Sequence, residues 1–314
     1  MSSRGKVAVI GAGLMGHGIS IACALGSYDV NMVDTTAETL ARALNRTSAD
    51  LAVLVKRELV TEEDAKSALA RIRTTTSIAD AVDGVEFVTE AISENMASKK
   101  KLFRDLDRLC PGEVVLASNT STFRITEIAS AVEKRSRVVG THWWNPPYLM
   151  PLVEITKGAE TSERTSSRTR QFLVELGKVP VVCKDHPGLI GVRLHAALNT
   201  EAIRILEEGL ATAEDIDTTV RMSLGLRWAV VGPFEILDLG GLDVFLDAYE
   251  HLYKELGDRF KPPEIFRDKV RRGELGTKTH RGFHEYTSES IESLTKRRDE
   301  FLVERLKELR SSGN

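Results

Sequence analysis

The stretch Lys6–Gly16, KVAVIGAGLMG, decides the fold of this chain. It opens with the β-rich apolar run Lys6–Ile10, and a glycine turn then leads into Ile19–Leu25, a small and apolar stretch that is typical of a helix. A second extended run, Asp29–Val33, follows that stretch. This order predicts a strand, a glycine turn, a helix and a second strand, which together form one βαβ unit.

The glycine spacing within this unit is the pattern of a dinucleotide-binding turn. Gly11 permits the tight turn, Gly13 lets the backbone approach a pyrophosphate, and Gly16 allows close packing of the helix. Backbone N–H groups at the start of the helix, those of Leu14 and Met15, are expected to receive the phosphates.

Asp34 follows the second extended run, 23 positions after Gly11. An acidic side chain at about this offset accepts hydrogen bonds from the hydroxyls of the adenosine ribose. Thr35 and Thr36 come next and no arginine stands beside them, so a 2′-phosphate would meet repulsion. The predicted cofactor is therefore NAD rather than NADP, and an ordinary strand-end aspartate is the alternative interpretation.

The composition is that of an ordinary globular protein. Of 314 residues, 28% are charged and 42% are hydrophobic, and the length favours two domains. A net charge of −3 provides no global positive field, which argues against a nucleic-acid partner. The three cysteines lack disulfide or metal-ligand spacing, so no metal is expected and the expected compartment is the cytoplasm. No apolar stretch is long enough to predict a membrane span.

Beyond Asp34 the chain continues to alternate between strand-like and helical patterns. Strand-like runs occur at Glu86–Thr89, Val114–Ala117 and Val138–Gly140. The helical segment Lys99–Leu109 lies between two of them, so the pattern predicts an α/β fold with a doubly wound parallel sheet.

A helical hairpin is predicted at about residues 40–72. Apolar residues recur at helical spacing from Leu40 to Val60, and Thr61 with Asp64 forms a variant capping box that would start a second helix through Ile72.

The pattern changes near Lys184, where a turn-like segment is followed by long helical patterns. We therefore expect a Rossmann-type NAD-binding domain over residues 1–184 and an all-helical domain over residues 185–314. Within the second domain, the apolar stripe of Ser290–Arg310 is interpreted as packing.

Polar side chains cluster in two segments of the first domain, SNTS at 118–121 and THWWNPPYLMPLVEI at 141–155. We expect them to follow strand ends, where ligand clefts lie in such folds. His142 could take a proton near neutral pH, and the Glu154 carboxylate on its other nitrogen would fix the tautomer. A structural histidine with no contact to Glu154 is the alternative. Trp143 and Trp144 are interpreted as wall packing, and His17 as a residue of the helix surface.

Six motifs together resemble the 3-hydroxyacyl-CoA dehydrogenase superfamily in order and spacing, over nearly the whole chain. They are GAGLMG, SENMASKKKLF, SNTST, HWWNPPYLMPLVEI, PGLIGVRL and GTKTHRGFHEY. The resemblance implies a Rossmann-type NAD domain, followed by a helical domain that forms much of a homodimer interface and closes over the substrate.

The resemblance also implies roles for individual residues. His142 corresponds to the general base and Glu154 to its orienting partner, while Ser121 and Asn145 position the hydroxyl or ketone. A second set contacts the nicotinamide half of NAD, and it comprises Glu94, Lys99 and Asn119. Without the resemblance, the two charged members of that set would be solvated charges and Asn119 a turn residue.

The segments 225–239 and 145–148 look most like the branch that contains L-gulonate 3-dehydrogenase (lambda-crystallin) and carnitine dehydrogenase, whose members act on free hydroxy acids. Val192 stands where the family motif carries an asparagine near the substrate, and the loss of that polar contact argues against ordinary acyl-CoA handling. Arg227, in the first of these segments, could pair with a substrate carboxylate or could be a surface residue.

The expected activity is reversible hydride transfer between NAD and the C3 hydroxyl of a 3-hydroxy acid, with a slight preference for a free carboxylate. The alternative is an acyl-CoA substrate, because Lys56 and Arg57 on the hairpin resemble residues that meet CoA phosphates. A solvated basic helix end would explain these two residues equally well. A non-catalytic, NAD-binding protein related to crystallin is a further alternative.

Overall fold

The computed structural model of the chain describes residues 2–311, and it forms two compact units, Met1–Leu198 and Asn199–Asn314. The predicted limit between residues 184 and 185 lies in the segment that joins the last strand to the next helix. That limit remains a prediction.

The first unit contains a sheet of eight strands within the described residues, in the order β3-β2-β1-β4-β5-β6-β7-β8. The strands are β1 (Lys6–Ile10), β2 (Asp29–Val33), β3 (Ile72–Thr75), β4 (Phe87–Glu90), β5 (Val115–Ser118), β6 (Val138–Trp143), β7 (Leu152–Lys157) and β8 (Val179–Lys184). All neighbouring pairs are parallel except β6 with β7. The predicted α/β, doubly wound fold is confirmed.

Helices cover both faces of this sheet, as the alternation of strands and helices requires. They are α1 (Leu14–Leu25), α2 (Ala37–Lys56), α3 (Glu62–Arg71), α4 (Ile78–Ala81), α5 (Met96–Leu109), α6 (Ile125–Ala129) and α7 (Glu163–Glu175). Helix α8 (Ile190–Glu207) begins in the first unit and ends in the second.

Strand β1 shows how the two hydrophobic cores arise. Successive side chains of a strand point to opposite faces, so Val7 and Val9 pack into the core that α1, α2 and α7 cover, whereas Ala8 and Ile10 pack into the core that α5 and α6 cover. Both faces of β1 are buried, which explains why KVAVI is an uninterrupted apolar run rather than an alternating one.

The helical hairpin is present as α2 and α3. The predicted capping box is confirmed: the Asp64 amide donates to Thr61 Oγ1 at 3.1 Å, and the Thr61 amide donates to Asp64 Oδ2 at 3.3 Å. Ile72 begins strand β3 instead of ending the second helix, because it pairs with Val30 at the edge of the sheet.

The end of the sheet differs most from the sequence interpretation. Strand β6 continues past Gly140 to Trp143, and strands β7 and β8 were not predicted. The antiparallel pairing places His142 directly opposite Glu154. Both residues therefore lie inside strands rather than after strand ends.

The second unit is helical in its described part. Its helices are α9 (Ala213–Thr219), α10 (Leu226–Trp228), α11 (Pro233–Gly240), α12 (Leu242–Leu256), α13 (Glu264–Arg271) and α14 (Ser288–Ser311), with a π-helical segment (Val220–Gly225) between α9 and α10. The predicted helix over Ser290–Arg310 is confirmed as α14. No helix of residues 2–311 is both long and apolar enough to cross a membrane.

Candidate active site

The glycine turn between β1 and α1 requires glycine at two positions for internal reasons. Gly11 has φ of 101°, and a Cβ there would stand 2.6 Å from the Ala91 carbonyl oxygen. A Cβ on Gly16 would stand 1.6 Å from the Gly11 carbonyl oxygen. These two glycines therefore let the chain turn tightly and let α1 pack closely against the turn.

Gly13 is different, because the protein itself leaves its side-chain position open. Within residues 2–311, no heavy atom outside its own chain neighbours lies within 4 Å of the point where its Cβ would stand. Gly13 is the N-cap of α1, and no side chain caps the helix or places a carboxylate in its first turn. The amide groups at Leu14 and Met15 are thus available to an anion, which fits the diphosphate of a dinucleotide.

Asp34 lies just after β2, where it closes the turn from the other side. Its Oδ2 accepts from the Ala12 amide at 2.7 Å, and its Oδ1 accepts from the Thr35 amide at 2.7 Å. A cavity of about 520 Å3 begins at Asp34 and at the glycine turn and extends to Ile92 and Lys101. The position fits a role in holding the adenosine half of NAD.

A buried ion pair lies at the ends of the central strands. Lys99 is 1% exposed, and its Nζ lies 2.6 Å from Oε1 of the fully buried Glu90 and 3.2 Å from Oε2 of Glu94. Glu90 Oε2 also accepts from the Ser118 hydroxyl at 2.6 Å. Lys99 is therefore not a solvated charge, and its ammonium group is held in place by carboxylates.

Glu94 holds the loop that carries Ser121. Its Oε1 accepts from the Thr120 hydroxyl at 2.5 Å, the Ser121 amide at 3.1 Å and the Thr122 amide at 3.2 Å. Partial burial alone would raise the pKa of Glu94, but these hydrogen bonds and the Lys99 charge hold it below its usual value.

Asn119 connects two strands rather than forming a solvent-exposed turn. Its side-chain Oδ1 accepts from the Trp143 backbone amide at 2.9 Å, and its backbone N–H donates to the Glu90 backbone carbonyl at 2.8 Å. The end of β5 is thereby tied to β4 and to the end of β6, next to His142.

His142 and Glu154 form a buried pair across the antiparallel strands. Nδ1 of His142 lies 2.8 Å from Oε2 of Glu154, and Glu154 is 1% exposed. Burial would raise the pKa of Glu154, but the hydrogen bonds from His142 and from the Gly191 amide lower it below its usual value. An ionised Glu154 accepts a hydrogen bond from the Nδ1–H group, so Nε2 of a neutral His142 is an acceptor.

Gly191, at the start of α8, completes this pair. Its amide donates to Glu154 Oε1 at 2.9 Å, and a Cβ on Gly191 would stand 2.4 Å from Cζ2 of Trp144. The Trp144 ring packs edge-on against His142, with 5.2 Å between the ring centroids. The absence of a side chain at Gly191 thus lets its backbone N–H reach Glu154 beside the Trp144 ring.

The remaining predicted site residues are not joined to this pair by hydrogen bonds in the described part of the chain. Ser121 is half-buried and Asn145 is exposed, on the two segments that follow β5 and β6. Val192 is half-buried on α8, and Arg227 is exposed on α10 of the second unit.

Three residues that contact predicted site residues were not recognised from the sequence, namely Glu90, Gly191 and His17. A charge at the buried end of a parallel strand was an available signal for Glu90, whereas nothing in the sequence indicated the Gly191 amide. His17 was assigned to a helix surface, but it is 4% exposed and contacts Asp50.

One Rossmann-type sheet carries both a glycine turn whose helix amides are available to phosphate and a buried histidine–glutamate pair. Together these features define a dinucleotide-dependent oxidoreductase. The model of the "3-hydroxyacyl-CoA dehydrogenase, NAD binding domain" matches residues 6–186, and that of the "3-hydroxyacyl-CoA dehydrogenase, C-terminal domain" matches residues 188–286. The chain belongs to the 3-hydroxyacyl-CoA dehydrogenase family, which confirms the family prediction and the NAD cofactor.

Three relatives illustrate the similarity. A probable 3-hydroxybutyryl-CoA dehydrogenase of Bacillus subtilis is 38% identical over 90% of this chain and 97% of its own length. The solved 3-hydroxyacyl-CoA dehydrogenase of Archaeoglobus fulgidus is 38% identical, with a TM-score of 0.78 over 95% of this chain and 98% of that one. A 5-formyl-3-hydroxy-2-methylpyridine 4-carboxylate 5-dehydrogenase of Mesorhizobium japonicum is 32% identical over 95% of this chain and 96% of its own length.

Proposed function

We propose that this NAD-dependent dehydrogenase reversibly oxidises the secondary C3 hydroxyl of a 3-hydroxyacyl-CoA thioester. The observation that carries the chemistry is the 2.8 Å contact between His142 Nδ1 and the buried Glu154. This contact occupies one nitrogen of the ring and leaves the other to act on a substrate.

In the oxidation, His142 Nε2 removes the hydroxyl proton, the C3–H bond breaks, and the hydroxyl carbon becomes a ketone. Bound NAD supplies the redox chemistry by accepting the hydride. The Glu154 carboxylate stabilises the imidazolium that forms, and Ser121 and Asn145 orient the substrate oxygen. In the reduction, His142 returns the proton to that oxygen.

The cofactor contacts divide between two parts of the first unit. The glycine turn, with the amides of Leu14 and Met15, would hold the diphosphate, and Asp34 would hold the adenosine ribose. The nicotinamide half would lie toward a second set of residues, which comprises Glu94, Lys99 and Asn119.

The preference for the CoA thioester rests on the relatives and on the hairpin. The Bacillus subtilis relative is named for a CoA substrate. An apolar groove of about 450 Å3 lies between α2 and α3, with Lys56 and Lys66 among its lining residues, and Arg57 is exposed at the end of α2. Such cations can meet the phosphates of CoA.

A free hydroxy acid is the second candidate substrate. Val192 cannot make the polar contact of the family asparagine, and exposed Arg227 could pair with a carboxylate. The Mesorhizobium japonicum relative, which matches nearly the whole chain, is named for a carboxylate compound.

NADH formation at 340 nm decides between these substrates. We expect turnover of (S)-3-hydroxybutyryl-CoA and little with L-carnitine or L-gulonate, together with a raised KM for the thioester in Lys56→Ala/Arg57→Ala. Turnover of a free acid alone, lost in Arg227→Ala, would establish the second candidate. Binding of NADH without turnover of any of these compounds would favour a non-catalytic, crystallin-like role.

We also propose that the chain forms a homodimer through the helical domain over residues 185–314 and acts in the cytoplasm. Apolar side chains exposed on the helices of that domain support an interface, among them Leu194, Ile203 and Val244. Sedimentation equilibrium of the full chain tests the dimer, and a monomer at micromolar concentration would contradict it.

A further inference from the structure

His17 is a buried histidine one turn into α1, directly behind the glycine turn. Its Nδ1 lies 2.9 Å from the Gly13 carbonyl oxygen, and its Nε2 lies 3.0 Å from Oδ2 of Asp50 on α2. The ring is 4% exposed, so water does not substitute for these partners.

Both partners of the ring are acceptors. The Gly13 carbonyl has no proton to donate, and Asp50 is a partly exposed carboxylate, with 27% of its side chain accessible. A neutral imidazole donates from one nitrogen only, whereas an imidazolium donates from both. Both contacts are hydrogen bonds only when both ring nitrogens carry a proton, and Asp50 is then the counter-ion of the ring.

The ring contacts Gly13, a residue of the glycine turn that also lines the cavity at Asp34. Gly13 is the N-cap of α1, and its carbonyl already accepts the His17 amide at 3.1 Å. The ring contributes a second bond to the same carbonyl, whereas no protein atom of residues 2–311 would meet a Cβ on Gly13. The orientation of the following helix amides depends on this carbonyl.

Charge also favours this placement. An anion at the start of a helix is stabilised by positive charge nearby, and α1 has no cationic side chain in its first turn other than His17 itself. Asp50 contacts Nε2, so Nδ1 is the ring nitrogen that contacts the turn. Tyr148 lies against Asp50 on the other side, where burial and the Asp50 charge raise the pKa of the Tyr148 hydroxyl.

We propose that His17 is a positioning residue for the cofactor, whose imidazolium holds the Gly13 carbonyl and provides positive charge behind the diphosphate-binding turn. The inference rests on the placement of the NAD diphosphate at this turn. Asp50 acts on the cofactor site only through His17, because it sets the charge and orientation of the ring.

The test measures the Kd of NADH, ADP-ribose and adenosine by calorimetry or competition. His17→Ala should weaken NADH and ADP-ribose about 10- to 100-fold, the range for loss of a hydrogen bond to a charged group, and should leave adenosine affinity within about twofold. His17→Asn can donate to Gly13 but carries no charge, so a smaller loss of about 3- to 10-fold is expected.

Ser20→Ala is the matched control. Ser20 is buried in the same helix and donates to the Gly16 carbonyl at 2.9 Å, a similar bond without charge. This variant should bind NADH within about twofold of the unmodified chain.

Two results would overturn the inference: unchanged NADH affinity in His17→Ala, or an equal loss for adenosine and ADP-ribose, which would show a purely structural role. If His17→Ala does not fold, His17→Asn decides in the same way. Failure of the unmodified chain to bind NADH would instead contradict the proposed cofactor site.

Discussion

The chain contains two buried histidines that each contact a carboxylate, and the two regions use the same pair of residue types differently. At the β6–β7 end of the sheet, the hydrogen bond of the His142 ring to Glu154 involves Nδ1, and no other hydrogen bond to the ring occurs within residues 2–311. At the glycine turn, both nitrogens of His17 are engaged, by Gly13 and by Asp50. His142 keeps one ring nitrogen that can exchange a proton with a substrate, whereas both nitrogens of His17 contact protein acceptors.

The largest expected effect is on His142. His142→Ala should lower kcat by about 10³, within the usual contribution of general acid–base catalysis, while NADH affinity stays within about threefold. Steady-state kinetics at 340 nm and calorimetry measure the two quantities. His251→Ala, which removes an exposed histidine of α12, is the control and should keep its kcat. Retention of most turnover in His142→Ala would remove the distinction between the two histidines.

The next effect concerns the partner carboxylate. Glu154 accepts from both His142 Nδ1 and the Gly191 amide, but a glutamine has only one oxygen to offer these two donors. We therefore expect Glu154→Gln to lower kcat by about 10²-fold with little change in NADH affinity. Asp50→Asn should show the reverse, with NADH affinity reduced and kcat at saturating NAD changed less. Equal effects of both substitutions on kcat would contradict the comparison.

Substitutions of Gly13 and Gly16 test the cofactor region. Gly13→Ala should leave the thermal midpoint nearly unchanged, because no atom of residues 2–311 meets the new Cβ and φ is −71°, but it should weaken NADH binding by about tenfold. Gly16→Ala should instead destabilise the fold by about 1–3 kcal/mol, because its Cβ would overlap the Gly11 carbonyl. Thermal unfolding and NADH titration of both variants check this, and a destabilised Gly13→Ala variant would show that the turn has no open face.

The smallest effect is on stability at acid pH. The pKa of Glu154 is lower in the folded chain than its usual value of 4.5, so its ionised form stabilises the fold above that value and the contribution is lost as pH falls through the folded pKa. The difference in unfolding free energy between the unmodified chain and Glu154→Gln should therefore shrink below about pH 4. Urea unfolding from pH 7 to pH 3 measures it, and a constant difference would indicate that His142 and Gly191 do not lower this pKa.

The strands and the glycine turn of the cofactor region were predictable from the sequence because backbone conformation determines them. Glycines at fixed spacing after Lys6–Ile10 have few alternative explanations, and β1 and β2 have the predicted limits. The family resemblance, which is carried by several motifs at once, identified the correct family.

The catalytic region was less predictable, because its contacts depend on strand register and on packing between distant segments. His142 and Glu154 meet because β6 and β7 are antiparallel, and the sequence interpretation ended β6 at Gly140 and contained no β7. The Gly191 amide reaches Glu154 from a helix 37 residues further along the chain. His17 was misassigned because its partner Asp50 lies on another helix, which no local periodicity reveals.

Histidine-selective ¹⁵N NMR of the unmodified chain tests this comparison most directly, with His17→Asn and His142→Asn used to assign the two rings. Both ring nitrogens of His17 should be protonated, and the neutral form of His142 should carry its proton on Nδ1 with Nε2 unprotonated. A neutral His142 with the proton on Nε2, or a His17 ring with only one protonated nitrogen, would contradict this comparison.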